Sequence, residues 1–396
     1  MAKTEVERIH PEREPEAAPL PPAQYNLFTG EAELVALVVD EAPDDELVID
    51  DGIRMVRTDD SSRLVLSGYG IFLSKKSERM VVRKGKDVIY QFPFFRLCDV
   101  VVASRGVGLS SDLIEELCRR GINLYFLSGG SKPYAMLTSP MLTATVEARR
   151  CQFDALNDAR GVEFSKAVVY GKTTNQERLL RYFGKYIKDV DPERYSRVAS
   201  IAAALRELRG KVRRVRGAKM DEVRDTLMGM EGTAGRLYWD GVKEVLANRT
   251  EFMGRRTRGA ADPANSLLNY GYGILYSVVW GALVNAGLEP FAGFLHVDRP
   301  GKPSLVLDLV EEFRQPVVDR TVIAHINLGR EITMVDGLLD GETRSAVAGK
   351  ILARLDSQEK YEGRRYRISS IIQIQARNLA SFLRGRRPYR PFTFRW

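Results

Sequence analysis

Residues 265–314 read NSLLNYGYGILYSVVWGALVNAGLEPFAGFLHVDRPGKPSLVLDLVEEFR, an uncharged aromatic-rich helix, a turn with a lone histidine and an acidic helix in succession. Apolar scaffolding leads straight into His296, Asp308, Glu311 and Glu312, the pattern of a metal site inside a helical domain. The run from Ser266 to Gly287 has the length of a membrane span, roughly twenty residues. Asn269, Ser277, Asn285 and several glycines interrupt it and it stands alone, so a buried core helix is the expectation. Ser304, after Pro303, is a candidate N-cap for a helix that must stop before Pro316. On that helix Asp308, Glu311 and Glu312 fall at i, i+3 and i+4 and share a face, while Leu305, Leu309 and Phe313 form another.

An acidic face alone is usually just solvated. The preceding histidine shifts the balance, because His296 is one of three in the chain and closes a glycine-containing apolar turn where it needs a specific partner. One imidazole with carboxylates suits Mg²⁺ or Mn²⁺ better than structural zinc. No HExxH sequence occurs, which argues against a zinc protease. A further acid comes from MDEVRDTLMGMEGTAGRLYWDG, residues 220–241, where Glu231 lies among Gly229, Met230, Gly232, Ala234 and Gly235. Small neighbours allow close approach of another helix or a DNA backbone, and a carboxylate on such a surface calls for a cation. An arginine-paired helix glutamate is the plainer alternative.

Basic residues flank this helix: Arg206, Arg209, Lys211, Arg213, Arg214, Arg216 and Lys219 before it, and Arg255, Arg256 and Arg258 after it. Among them Arg213, Arg214, Arg216, Arg255, Arg256 and Arg258 are candidate DNA contacts. The last twenty residues hold six arginines and no acid, interleaved with Tyr389, Phe392, Phe394 and Trp396. That mixture suits nucleic-acid stacking, though a protein interface uses the same residues. His325 reads as a packed or surface histidine, and the stripe Tyr272, Tyr276, Trp280 as core.

The 396-residue chain has an ordinary globular composition, 44% hydrophobic and 28% charged, and its length suggests two or three domains. Its net charge is +8, yet residues 1–60 carry sixteen acids against five bases, a net of −11 that leaves +19 for the remainder. A basic body with an acidic tail suggests a polyanionic partner. Three scattered cysteines without a CxxC pair point to a reducing cytoplasm, and no secretory signal is visible.

In chain order, the Pro- and Glu-rich start reads as flexible to about residue 30, and LVALVVD and LVID between residues 31 and 51 are ambiguous strands. From Arg63 come RLVLSGYGIFLS, RMVVRKG, DVIYQFPF and CDVVVAS, spaced as in a small antiparallel sheet. A helix, SSDLIEELCRRG, and the strands INLYFLS and KPYAMLTS follow. Beyond Thr143 the spacing is near 3.6 over 144–158, 162–188, 194–209, 219–247, 263–286, 304–315, 317–328, 343–356 and 367–384. The expected class is α+β: an acidic, Pro-rich extension over 1–61, a β-rich domain over 62–140 and a larger all-α domain over 141–396 carrying the metal site.

RLVLSGYGIFLSKKSERMVVRK, SRGVGLSSDLIEELCRRGINLYFL, LMGMEGTAGRLYW, NSLLNYGYGILYSVVWGALVNAGLEPFAGFLH, SLVLDLVEEFRQPVVDR and IIQIQARNLASFL, taken in order, resemble the CRISPR-associated integrase that captures spacers, CRISPR-associated protein one. The resemblance covers about residues 62–396 and has no counterpart for the first sixty. It implies a metal-dependent DNA endonuclease and integrase of CRISPR adaptation and antiviral defence, in which spacer 3′-hydroxyls attack repeat phosphodiesters. By motif position it puts the family's metal-binding glutamate on Glu231, its histidine on His296 and its acidic ligand on Glu311, with a second acid on Asp308; which of Asp308 and Glu311 is the direct ligand stays open. It also implies a homodimer, a small ferredoxin-like partner, CRISPR-associated protein two, and double-stranded DNA with 3′ overhangs together with CRISPR repeat DNA. A separate end-trimming nuclease is left open. The rival readings are a non-catalytic DNA-binding scaffold of the same fold and a membrane protein.

Overall fold

The computed structural model describes residues 62–128, 133–137, 145–247, 249–257 and 262–395, together with short strands at 24–25, 32–33, 46–50 and 53–57. Contacts divide the chain into Met1–Glu41 and Ala42–Trp396. In the first unit β1 (Gln24–Tyr25) pairs antiparallel with β2 (Ala32–Glu33). Apart from these two strands and the strands at 46–50 and 53–57, the expected extension over 1–61, including the run LVALVVD, lies outside the described residues.

The second unit opens with β3 (Glu46–Asp50), which contains the LVID run, and continues through β4 (Ile53–Arg57), β5 (Ser62–Leu66), β6 (Ile71–Lys76), β7 (Arg79–Lys84), β8 (Asp87–Pro93), β9 (Leu97–Val102) and β10 (Gly108–Leu109). Helix α1 (Ser111–Arg120) is followed by β11 (Asn123–Leu127) and β12 (Pro133–Leu137). These strands make two mixed sheets rather than the single antiparallel sheet that the turn spacing suggests, ordered β10-β6-β7-β8 and β12-β11-β9-β5-β4-β3. The segment RLVLSGYGIFLS breaks at residues 67–70 and sends its halves to different sheets. The meander β6-β7-β8 then serves as the crossover that lets β9 lie parallel to β5, and α1 does the same for β9 and β11. Gly121 ends α1 in the left-handed region at φ 69°, where it needs no Cβ.

Ten α-helices are described, the nine after α1 being α2 (Thr145–Ala155), α3 (Ala159–Gly184), α4 (Pro192–Arg214), α5 (Met220–Leu246), α6 (Pro263–Asn285), α7 (Ser304–Val310), α8 (Arg320–Asn327), α9 (Gly341–Asp356) and α10 (Ile368–Leu383). The fold class is α+β, a β-rich part followed by a larger helical part. Two small hairpins interrupt the helices, β13 (Met334–Val335) with β14 (Leu338–Leu339) and β15 (Gln358–Tyr361) with β16 (Arg364–Arg367). Their turns, Asp336-Gly337 and Glu362-Gly363, have positive φ at both central residues, the hairpin chemistry that a helix-period reading passes over.

Helix α6 is the uncharged run. It has the length and apolarity to cross a membrane, but it is the core of this body, with Leu267, Leu268, Ile274, Leu275, Val279 and Leu283 buried against α9, α10 and β12. Each such side chain contributes roughly 1.5–3 kcal/mol on burial. Helix α3 packs on α4 and α5 and touches α7, and it buries a polar run from Lys172 to Glu177. Between the sheet and α9, buried Arg63 reaches Asp99 at 3.2 Å and Asp356 at 3.3 Å.

The acidic helix departs from expectation. α7 ends at Val310, a turn carries Glu311 to Phe313, and a π-helical turn, Arg314–Asp319, runs through Pro316 into α8 without a stop. Pro316 has no amide hydrogen to offer the Glu312 carbonyl, and the Asn175 side chain donates to that carbonyl instead, at 2.8 Å. Ser304 is the first residue of α7 rather than its cap.

Candidate metal centre

Asp308 is fully buried, and both its oxygens are spent on the histidine loop. Oδ2 accepts from the amides of Phe294 (2.7 Å) and Leu295 (3.1 Å), and Oδ1 from the amide of His296 (3.0 Å) and from its Nδ1 (2.7 Å). With the Nδ1 hydrogen on the carboxylate, the lone pair of His296 is at Nε2, the arrangement that orients a metal-binding imidazole. The loop sits on the start of α7 because Gly293 has no side chain: a Cβ there would stand 2.6 Å from the Ser304 carbonyl carbon. The Ser304 hydroxyl accepts from the Gly293 amide at 2.8 Å and donates to the Phe291 carbonyl at 2.6 Å. Arg224 of α5 holds the loop's other side, donating to the Phe294 carbonyl at 3.2 Å.

Glu311 and Glu231 meet at one cation. Lys172 of α3 lies 2.7 Å from Glu311 Oε2 and pairs with Glu231 Oε1. Arg314 Nε is 3.2 Å from Glu311 Oε1, and the same guanidinium lies 4.7 Å above the Tyr272 ring and bonds the Tyr276 hydroxyl. Burial pushes the Glu311 carboxyl up, but Arg314 and Lys172 outweigh it and hold it at about 2. Burial disfavours the Lys172 ammonium, yet Glu311 and Glu231 raise its pKa above the ordinary value.

Glu312 goes elsewhere. It accepts from the Tyr389 hydroxyl (2.6 Å), the Phe392 amide (2.8 Å) and Gln375 Nε2 (2.8 Å), and burial raises it to about 7. The three carboxylates expected on one face therefore serve three structures, because α7 ends at Val310 and protein surrounds the turn that follows. Among the described residues, no three His, Cys, Asp or Glu side chains form a ready metal cage. The chemistry nevertheless fits a hard divalent ion: two carboxylates already gathered on a cation, with a neighbouring imidazole whose Nδ1 is fixed.

The basic candidates divide. Arg213, Arg214, Arg216 and Arg256 are exposed. The Arg213 guanidinium lies 4.6 Å over the Tyr170 ring, with Arg209 at 5.6 Å over the same ring. Arg255 is committed to Asn265 (2.9 Å) and Asn269 (2.6 Å) and to the rings of Tyr272 and Trp239. Arg258 lies outside the described residues. In the C-terminal tail Phe392 and Phe394 are in the core and the Tyr389 hydroxyl is on Glu312, so these rings are not a stacking surface. Trp396 lies outside the described residues. His325 is buried, as a packed histidine. Lys172, Arg314 and Asn175 were not singled out by sequence reasoning; a cation inside the polar run KTTNQE carries no periodic signal.

Residues 64–350 match the family described as CRISPR associated protein Cas1. The chain is 36% identical over 333 residues to a protein of Francisella tularensis subsp. novicida named CRISPR-associated endonuclease Cas1 1, covering 84% of this chain and 99% of that one. Among solved structures it resembles a casposase bound to integration product, with TM-score 0.69 and 22% identity, covering 82% of this chain and 91% of that one. It also resembles a chain of a Cas6-RT-Cas1–Cas2 complex, with TM-score 0.67 and 20% identity, covering 85% of this chain and 36% of that one. The two structural likenesses concern the fold.

Proposed function

The chain belongs to the CRISPR-associated Cas1 family, and from that premise we propose that it is a metal-dependent DNA endonuclease and integrase inserting spacers into a CRISPR array. The observation that carries the reading is the gathering of Glu231 and Glu311, from separate elements, on one cation beside a histidine fixed by Asp308. Glu231, His296 and Glu311 are the groups to hold Mg²⁺ or Mn²⁺. Asp308, with four donors on its two oxygens, acts through His296 by fixing its ring. An ion bound there supplies charge stabilisation on the scissile phosphate and favours attack by a spacer 3′-hydroxyl. Arg314 holds Glu311 in place, and no protein nucleophile is required.

The partners that go with this reading are DNA with 3′ overhangs, repeat DNA, a second copy of the chain and the small Cas2 protein, in the cytoplasm. Arg213, Arg214, Arg216 and Arg256 are the exposed groups for phosphate contact. In a strand-transfer assay with Cas2, wild-type protein joins spacer ends to a repeat with Mg²⁺ or Mn²⁺ and stops with chelator. Glu231→Ala and His296→Ala lose joining while still binding DNA. Joining at the wild-type rate by both variants removes the assignment, and DNA binding without joining by the wild type favours the scaffold reading.

A further inference from the structure

Lys172 stands where a metal ion has most to gain. Its ammonium, on a side chain 9% exposed, bridges Glu231 of α5 and Glu311 beyond α7, the two carboxylates assigned above to the ion. The neighbours on its own helix, Gly171, Thr173, Thr174 and Asn175, are buried and offer no second anion. Two carboxylates brought together inside a protein repel unless a cation lies between them. Here the chain supplies that cation itself.

We propose that Lys172 is a built-in competitor for the metal position, holding Glu231 and Glu311 together without an ion and giving way when one enters. The inference rests on the metal reading above. Two consequences follow from charge. First, the affinity for the ion is set low, because binding must break two ammonium–carboxylate contacts in a poorly solvated place. Second, a displaced ammonium needs another anion there, since an unpaired buried charge is costly. A DNA phosphate at the site supplies one, so phosphate binding and metal loading favour each other, and by linkage the favour is reciprocal. Lys172 thereby couples loading of the ion to arrival of substrate.

The test titrates full-length protein with Mn²⁺, following free Mn²⁺ by electron paramagnetic resonance, with and without a duplex bearing 3′ overhangs. Without DNA, Lys172→Met is expected to bind Mn²⁺ at least about tenfold more tightly than wild type, the scale of one lost charge contact. DNA tightens Mn²⁺ binding by the wild type severalfold and by the variant hardly at all. Lys172→Gln, which keeps a neutral hydrogen-bond donor between the carboxylates, carries the same comparison if Lys172→Met does not fold. Equal or weaker Mn²⁺ affinity in the variant overturns the inference alone. No saturable Mn²⁺ binding by either protein overturns the metal reading and this inference with it.

Discussion

Asp308 shows how one carboxylate organises a loop. It accepts three consecutive amides and the imidazole, so the backbone from Phe294 to His296 and the ring orientation depend on it together. Asp308→Asn replaces one acceptor oxygen by a donor that faces amide hydrogens. The expected outcome is a loss of Mn²⁺ affinity on the order of 10–100-fold, the usual cost of removing a partner behind a metal-bound histidine. Calorimetry on the folded variant checks it, and an unchanged affinity would mean that the loop is held by Ser304 and Arg224 alone. Sequence spacing brought Asp308, Glu311 and His296 into one frame, but assigned them roles only through the family resemblance. Lys172 was invisible because its partners are 59 positions or more away along the chain.

At the scale of elements, the C-terminal tail is a strap across α3. Asn175 donates to the Phe392 carbonyl at 3.1 Å and accepts the Phe394 amide at 3.3 Å, Glu312 takes the Phe392 amide, and a Cβ on Gly171 would meet Pro391 at 2.8 Å. The Phe392 ring stacks on Phe313 with centroids 5.2 Å apart. Phe392→Ala is expected to cost about 3–5 kcal/mol, the range for truncating a buried phenylalanine, read from urea unfolding. A cost below ~1 kcal/mol would show the strap to be loosely held. From sequence the tail looked like an arginine-aromatic arm for nucleic acid, since composition does not say which way a ring points. The uncharged α6 was legible for the opposite reason, because twenty-odd residues without charge have few places to go but inside. The π-helical turn was not legible: proline marks a probable helix end, and only the tertiary partner Asn175 shows why the chain can continue.

At the scale of the molecule, the sheet and the helical body of the second unit share one core, in which Val65, Val101 and Tyr125 lie with the helical side chains, and buried Arg63 reaches Asp99 and Asp356 between them. The α+β class and nearly every helix were readable, because 3.6 periodicity is local. The sheet order was not, because β5 meets β9 only after three strands of the other sheet intervene. Global stability carries a pH signature at His325, which burial, then Lys350 and Arg330, lower to about 4. The unfolded chain binds a proton there near pH 6.5 and the folded chain does not until about pH 4. This group's contribution to stability is therefore complete above pH 6.5 and declines as pH falls toward 4, by at most about 1.4 kcal/mol per pH unit. His325→Gln is expected to flatten that part of the stability profile in urea melts at graded pH. An unaltered slope would assign the acid sensitivity to other groups.

Pro316 and Asn175 are two halves of a joint made from different parts of the chain. The imino acid withdraws a donor and the amide side chain supplies one, so the Glu312 carbonyl keeps a partner. A carbonyl oxygen has two lone pairs, so a chain that exchanged the proline alone would still satisfy it, whereas a chain that lost the asparagine alone would remove the donor it has. The asparagine is the less replaceable half, because the same side chain also holds the Phe392 carbonyl and the Phe394 amide, so its loss would loosen the tail as well as orphan the Glu312 carbonyl.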